Sequence, residues 1–329
     1  FSISTLSLLS AMEDGSYSPR PVDSVAKGLA KAYFDVSNII MRTIPQATDL
    51  YLMYLNMASS LWPDMHIATL MRAEIYKKHE DMRTYFSLVN SIPKSSYLYP
   101  MAQMTYGSYL ADRQSPKAPA IYKGLVSKYP GIPQLYQGLG DYYKREKKYK
   151  DALEYYSKGI EIGGASQTLS ELHFSRGVVH DMLDNSKEAE KDLEAAVTLD
   201  HKNPVVLNYY GYYLTSRDID AEKGFKLIER AIAADPLNPY YLDSYGWAFF
   251  KKGDIASAVQ MLEYAKTLRP KNPVIADHLG DVYWSMGRRR EAKFEWEKAL
   301  GYIDFDAGIL AHELDRSRLE YKIEYGMKE

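Results

Sequence analysis

Apolar and small residues recur at the i, i+3, i+4, i+7 spacing that places them on one face of a helix. Leu153, Tyr156 and Ile160 form one such set, and Val259, Leu262 and Ala265 beside Lys266 another. Short segments with Gly and charge, KREKKYK, KKGD and SMGR, interrupt this pattern and suit tight reversals between antiparallel helices. Asn-Pro pairs at 203–204, 238–239 and 272–273 mark the starts of further helices, because proline is tolerated in a first helical turn. The pattern predicts helical hairpins.

A longer period overlies the short one. Gly140, Gly177, Gly211, Gly246 and Gly280 sit in similar local contexts, 37, 34, 35 and 34 residues apart. Ala152, Ala189, Ala258 and Ala292 follow four of them at a constant distance, with Gly224 in the equivalent place of the remaining unit. A second small position follows at Gly159, Ala196, Ala231, Ala265 and Ala299, and Pro236 and Pro270 close two units. A residue without bulk in the first helix lets the second approach closely, and the later small residues receive the neighbouring hairpin. Upstream, Gly107, Ala73 and Ser37 continue the series less regularly. Tyr85 and Tyr51 replace the small second-helix residue there, which predicts looser or rearranged packing, and Pro45 and Pro119 are expected to disturb a regular helix start or interior.

This 34-residue helix–turn–helix unit resembles the tetratricopeptide repeat, and it implies an all-α superhelix, an α-solenoid of about eight hairpins. The expected division is a remnant of a preceding repeat or linker over 1–22, degenerate hairpins over 23–132, five regular repeats over 133–304 and a capping helix over 305–329. In the tail, Ile309, Leu310, Leu314, Leu319 and Ile323 would cover the last hairpin while Glu313, Asp315 and Arg316 stay solvated.

Four segments resemble something narrower: AKAYFDVSNII, DLYLMYLNMASSLWPD, the run from NYYGYYL through DSYGWAFFKKGD, and ADHLGDVYWSMGRRREAKFEWEKAL. They are similar to the envelope-associated tetratricopeptide proteins of Gram-negative bacteria, typified by the lipoprotein that partners a carboxy-terminal processing protease. That resemblance implies a scaffold that brings the protease to its substrates. It also implies a periplasmic or outer-membrane location, with a lipid anchor before Phe1. A cytoplasmic assembly or chaperone adaptor, and the regulatory repeat portion of a larger enzyme, are the alternatives.

In such a stack the residues three before and one after each glycine, and those four and five after it, line the groove of the first helices. These are Gln137, Asp141, Lys144 and Arg145; Phe174, Val178 and Asp181; Asn208, Tyr212 and Thr215; Asp243, Trp247, Phe250 and Lys251; and Asp277, Asp281 and Trp284. The middle unit, with Lys144 and Arg145, is basic, and the C-terminal part of the groove is aromatic and acidic. Such rings suit the apolar side chains of a partner segment, although each could equally pack between neighbouring first helices. The acidic positions disfavour clamping a C-terminal carboxylate.

Chemistry is hard to find. Asp277 and Asp281 share a helix face, but His278 points about 100° away, so the pair reads as solvated or partner-facing rather than as a metal site. His312-Glu313 lacks the second histidine of a zinc-protease motif, Gly163-Gly164 follows a helix rather than a strand, and His173 and His180 read as packing positions. No catalytic residue, metal ligand or cofactor is expected. A net charge of −2 without a basic run argues against nucleic acid as partner. No stretch of 18 apolar residues is present, and with no cysteine the sequence offers neither disulfide nor thiolate. The 30 tyrosines suit both helix packing and protein recognition. Other proteins or peptide segments are the expected partners.

Overall fold

The structure, a computed structural model, describes residues 22–113, 115–304 and 308–327. The remnant expected over 1–22 therefore lies outside the described residues except for Val22, as do Ala307 and the side chains of Ile309 and Glu313. Among the described residues all regular structure is helical.

The described residues up to Gly164 form one compact unit, with four hairpins among them. They pair α1 (Val25–Thr43) with α2 (Thr48–Leu61), α3 (His66–Lys78) with α4 (Met82–Ser91), α5 (Tyr99–Asp112) with α6 (Ala118–Lys128), and α7 (Pro133–Arg145) with α8 (Tyr149–Ile162). The residues from Ala165 form a second unit. Here α9 (Ser166–Met182) pairs with α10 (Ser186–Leu199), α11 (Pro204–Ser216) with α12 (Ala221–Ala234), α13 (Pro239–Lys251) with α14 (Ile255–Leu268), and α15 (Pro273–Ser285) with α16 (Arg289–Gly301). A short 3-10 helix (Gly308–Glu313) and α17 (Arg316–Tyr325) follow. The eight hairpins match the sequence period. The unit boundary falls at Gly163 and Gly164, both with positive φ (81° and 142°), inside the run that the period alone treats as continuous.

The repeated glycines do what their spacing predicts. A Cβ on Gly140 would lie 2.4 Å from the Tyr156 ring, and one on Gly280 would lie 2.5 Å from Trp296. At each place a large second-helix side chain lies directly on the first-helix backbone. Helix starts are fixed locally: the Asn203, Asn238 and Asn272 side chains accept backbone N–H bonds from the first turns of α11, α13 and α15.

In the first unit the packing is rearranged around large rings: Tyr51 and Tyr85 are both buried, and Tyr85 sits edge-on to Phe86 with Tyr109 close by. One expectation for this unit is corrected: proline does not break a helix, since Pro119 occupies the first turn of α6 and Pro45 lies in the turn between α1 and α2.

Candidate functional site: the inner face of the second unit

The face formed by the first helices α9, α11, α13 and α15 is called inner here. Capping sets the helical register, and the register sends Asp181, Asn208, Tyr212, Asp243, Trp247, Asp277 and Asp281 toward this one face. The structure places most of them deep. Asn208, Tyr212, Asp243, Asp277 and Asp281 are each 4% exposed or less.

What covers part of this face is the chain's own C-terminal segment. Lys322 of α17, itself 6% exposed, donates to Asp277 at 2.5 Å and to Asp281 at 2.6 and 2.9 Å. Arg318, one turn earlier, reaches Asp277 at 3.2 Å. The expectation that Asp277 and Asp281 are solvated or face a partner is thus corrected: both are buried and bonded to α17. Trp296 Nε1 also donates to Asp281 at 2.9 Å. Burial and the neighbouring Asp277 charge push the Asp281 carboxyl up, and Lys322 opposes them without fully compensating.

The other carboxylates are matched too. The Asp243 carboxylate binds His278 Nδ1 at 3.0 Å, while His278 Nε2 lies 3.4 Å from the Tyr212 hydroxyl and its ring stacks 4.3 Å from that of Trp247. Burial alone would lower the His278 pKa, but the Asp243 charge and hydrogen bond, with Asp277 and Asp281 behind them, carry it above its ordinary value. Asp181 accepts from Tyr209 at 2.7 Å and from Arg217, with His312 Nε2 at 3.3 Å. Burial raises its carboxyl, and these partners outweigh that effect and hold it below the usual carboxylate value.

Apolar contacts complete the seat. Leu310, 7% exposed, joins the cluster of Tyr209, Tyr212 and Tyr213, and Leu319 joins that of Leu279, Val282 and Trp296. Gly326 lies so close to Trp284 that a Cβ would fall 1.9 Å from its ring, and its φ of 87° independently requires glycine. Trp284 also packs against Trp296, and Trp247 against Phe250, so these rings act as packing groups within the unit. Lys251 pairs with Asp218 at 2.7 Å at the exposed rim. In the first unit, Lys144 lies 3.7 Å from Asp141 and Arg145 pairs with Asp112 at 2.8 Å, so the basic spot is locally neutralised.

His312, Arg318, Lys322 and Gly326 are the contributors that periodicity misses. One signal was available: Arg318 and Lys322 are four residues apart, as are Asp277 and Asp281, so two helical faces carry complementary charges at matching rise. His173, by contrast, fits the packing role read for it, lying 2.8 Å from the buried Asp192. Among the described residues no three His, Asp or Glu side chains are grouped to hold a metal, and no helix is long and apolar enough to cross a membrane.

Fold and inner face together define an all-helical repeat protein built of consecutive paired helices. Tetratricopeptide-repeat family models match residues 133–162 and 225–273. Solved structures share the fold at low identity. A tetratricopeptide repeat protein from Parabacteroides merdae aligns at 12% identity over 80% of this chain and 99% of its own, with a TM-score of 0.55. The APC/C hetero-tetramer Cut9-Hcn1 aligns at 14% over 93% of this chain, with a TM-score of 0.65, this chain spanning 57% of that one. No curated protein matches the sequence. The chain thus carries tetratricopeptide repeats over these matched segments and shares the fold of tetratricopeptide-repeat structures.

Proposed function

We propose that the chain is a non-catalytic adaptor of the bacterial cell envelope, holding partner proteins on its repeat surfaces. The observation that carries this reading is the inner face of the second unit, which already recognises a polypeptide segment, its own tail, through paired charges and buried apolar side chains. The first unit adds an exposed row along α2: Leu50, Met53, Met57 and Leu61 are 36–46% exposed and follow one helical face. Two surfaces on one chain let two partners be held together, which raises the effective concentration of each for the other. The envelope location and the partner class, a carboxy-terminal processing protease with its substrates, rest on the resemblance of the DSYGW and DHLGDVYW blocks.

The test is capture from a Gram-negative envelope extract on the immobilised chain, with mass spectrometry of what is retained and fractionation of cells producing the chain. The adaptor reading expects a processing protease among the retained proteins, lost when Met53→Asp and Met57→Asp are introduced together, and the chain in the envelope fraction. A cytosolic chain, or capture without a protease, refutes it.

A further inference from the structure

We propose that the inner face of the second unit is a receptor for a helical segment of a partner protein, basic at two positions four apart and apolar between them. On this proposal residues 308–327 are the resident competitor. It rests on the adaptor reading only in supposing that the partner is a protein.

Three observations carry it. The first is the match of spacing and sign: Asp277 and Asp281, four apart on α15, receive Arg318 and Lys322, four apart on α17, with Leu319 buried between them. Asp243 and Asp181, further along the face, are matched by His278 and by Arg217 with His312, so the charge left for an incoming segment to match is the Asp277–Asp281 pair, which disfavours an acidic segment there. The second is how short the resident helix is. The helix α17 has ten residues, shorter than helices that persist alone in water, so its order depends on docking. Of its residues only Leu319 and Lys322 are buried, while Tyr321 and Tyr325 are 41% and 64% exposed.

The third is an incomplete fit. Asn208, 4% exposed and on the same inner face, has a buried side-chain oxygen without a hydrogen-bond partner, and the buried Trp247 Nε1 likewise lacks one. A buried polar atom left unpaired disfavours the state that contains it. A longer partner helix that keeps the basic pair and adds a donor opposite Asn208 would satisfy what the tail leaves unmet. The tail's advantage is being tethered, which gives it a high effective concentration without a perfect fit.

The test uses the purified 329-residue chain and a fluorescein-labelled synthetic peptide with the sequence of residues 308–327, followed by anisotropy. His312→Ala with Arg318→Ala weakens the resident and leaves both the inner face and Lys322 intact. This variant is expected to bind the peptide at least tenfold more tightly than the unaltered chain, and a peptide carrying Lys322→Glu should bind at least tenfold more weakly than the native one. Equal binding by a folded variant and the unaltered chain overturns the proposal, as does undiminished binding of the Lys322→Glu peptide.

A second measurement covers a variant that fails to fold. In an otherwise unaltered chain carrying Leu310→Cys, saturating peptide should accelerate thiol labelling several-fold by displacing the resident. An unchanged rate overturns the proposal. Because only the chain and a peptide are present, failure here is distinct from failure to capture a protease.

Discussion

Replacing Lys322 by methionine tests the electrostatics of the inner face most sharply. Methionine fills a similar volume, so the change removes mainly a charge shared by Asp277 and Asp281, which are 4% and 3% exposed. Removing one partner of a buried ion pair costs about 3–5 kcal/mol, because the remaining charge stays desolvated. Two contacts soften the loss: Arg318 remains near Asp277, and Trp296 still donates to Asp281. We therefore expect the lower end, about 3 kcal/mol. At roughly 2–4 °C per kcal/mol for a unit of this size, the second unit should melt about 6–12 °C lower, followed by circular dichroism. The pH dependence adds a second signature. The Asp281 carboxyl already lies above its ordinary value and rises further without Lys322, so folding takes up a proton there. A group with a raised folded-state pKa contributes stability as pH falls through that value, so the variant's deficit should shrink between pH 7 and pH 5. A deficit below about 1 kcal/mol at pH 7, the range of an exposed pair, or one that does not change on acidification, would refute a buried bridge.

Other consequences are equally specific. Gly280→Ala would gain about 1 kcal/mol of helix propensity, but its Cβ would meet Trp296 at 2.5 Å. Overpacking at about 1–3 kcal/mol should win, so urea unfolding of this variant is expected to show a net loss. Gly124→Ala has no atom within 4 Å of the new Cβ and should instead stabilise its unit by about 0.5–1 kcal/mol. His278 is held charged by Asp243, with Asp277 and Asp281 nearby and Tyr212 and Trp247 against the ring. Since its pKa is raised on folding, its contribution is complete below about pH 6.5 and is lost as pH rises through the raised value. Thermal melts of the second unit should therefore weaken toward pH 9, and His278→Gln should flatten that slope.

The repeats are legible in the sequence because each depends on a local steric rule that recurs. A glycine must lie under Tyr156 or Trp296, an asparagine caps the next helix, and both return at nearly constant spacing. The first hairpins read less clearly because buried rings such as Tyr85 take the place of small residues, and a period of small residues does not register a well-packed large one. At the inner face, register alone brings Asp243, Asp277 and Asp281 together. What covers them is invisible to the repeat, because Lys322 and Asp277 belong to segments that meet only through the path of the chain after α16. The complementary four-residue spacing of Arg318–Lys322 and Asp277–Asp281 was present in the sequence, but it is a relation between two helices and not a period within one.

The claim on which the site depends is that the C-terminal segment is seated in the inner face. The sequence has no cysteine, so a single introduced thiol reports on one place. Leu310→Cys puts that thiol at a position 7% exposed, whereas Asp304→Cys puts it where the side chain is 93% exposed. Labelling at position 310 must wait for local opening, and an opening free energy of about 3 kcal/mol slows it roughly 100-fold. The seated segment predicts labelling at 310 at least tenfold slower than at 304 under native conditions, with the difference abolished in denaturant. Equal rates in the native chain would contradict it.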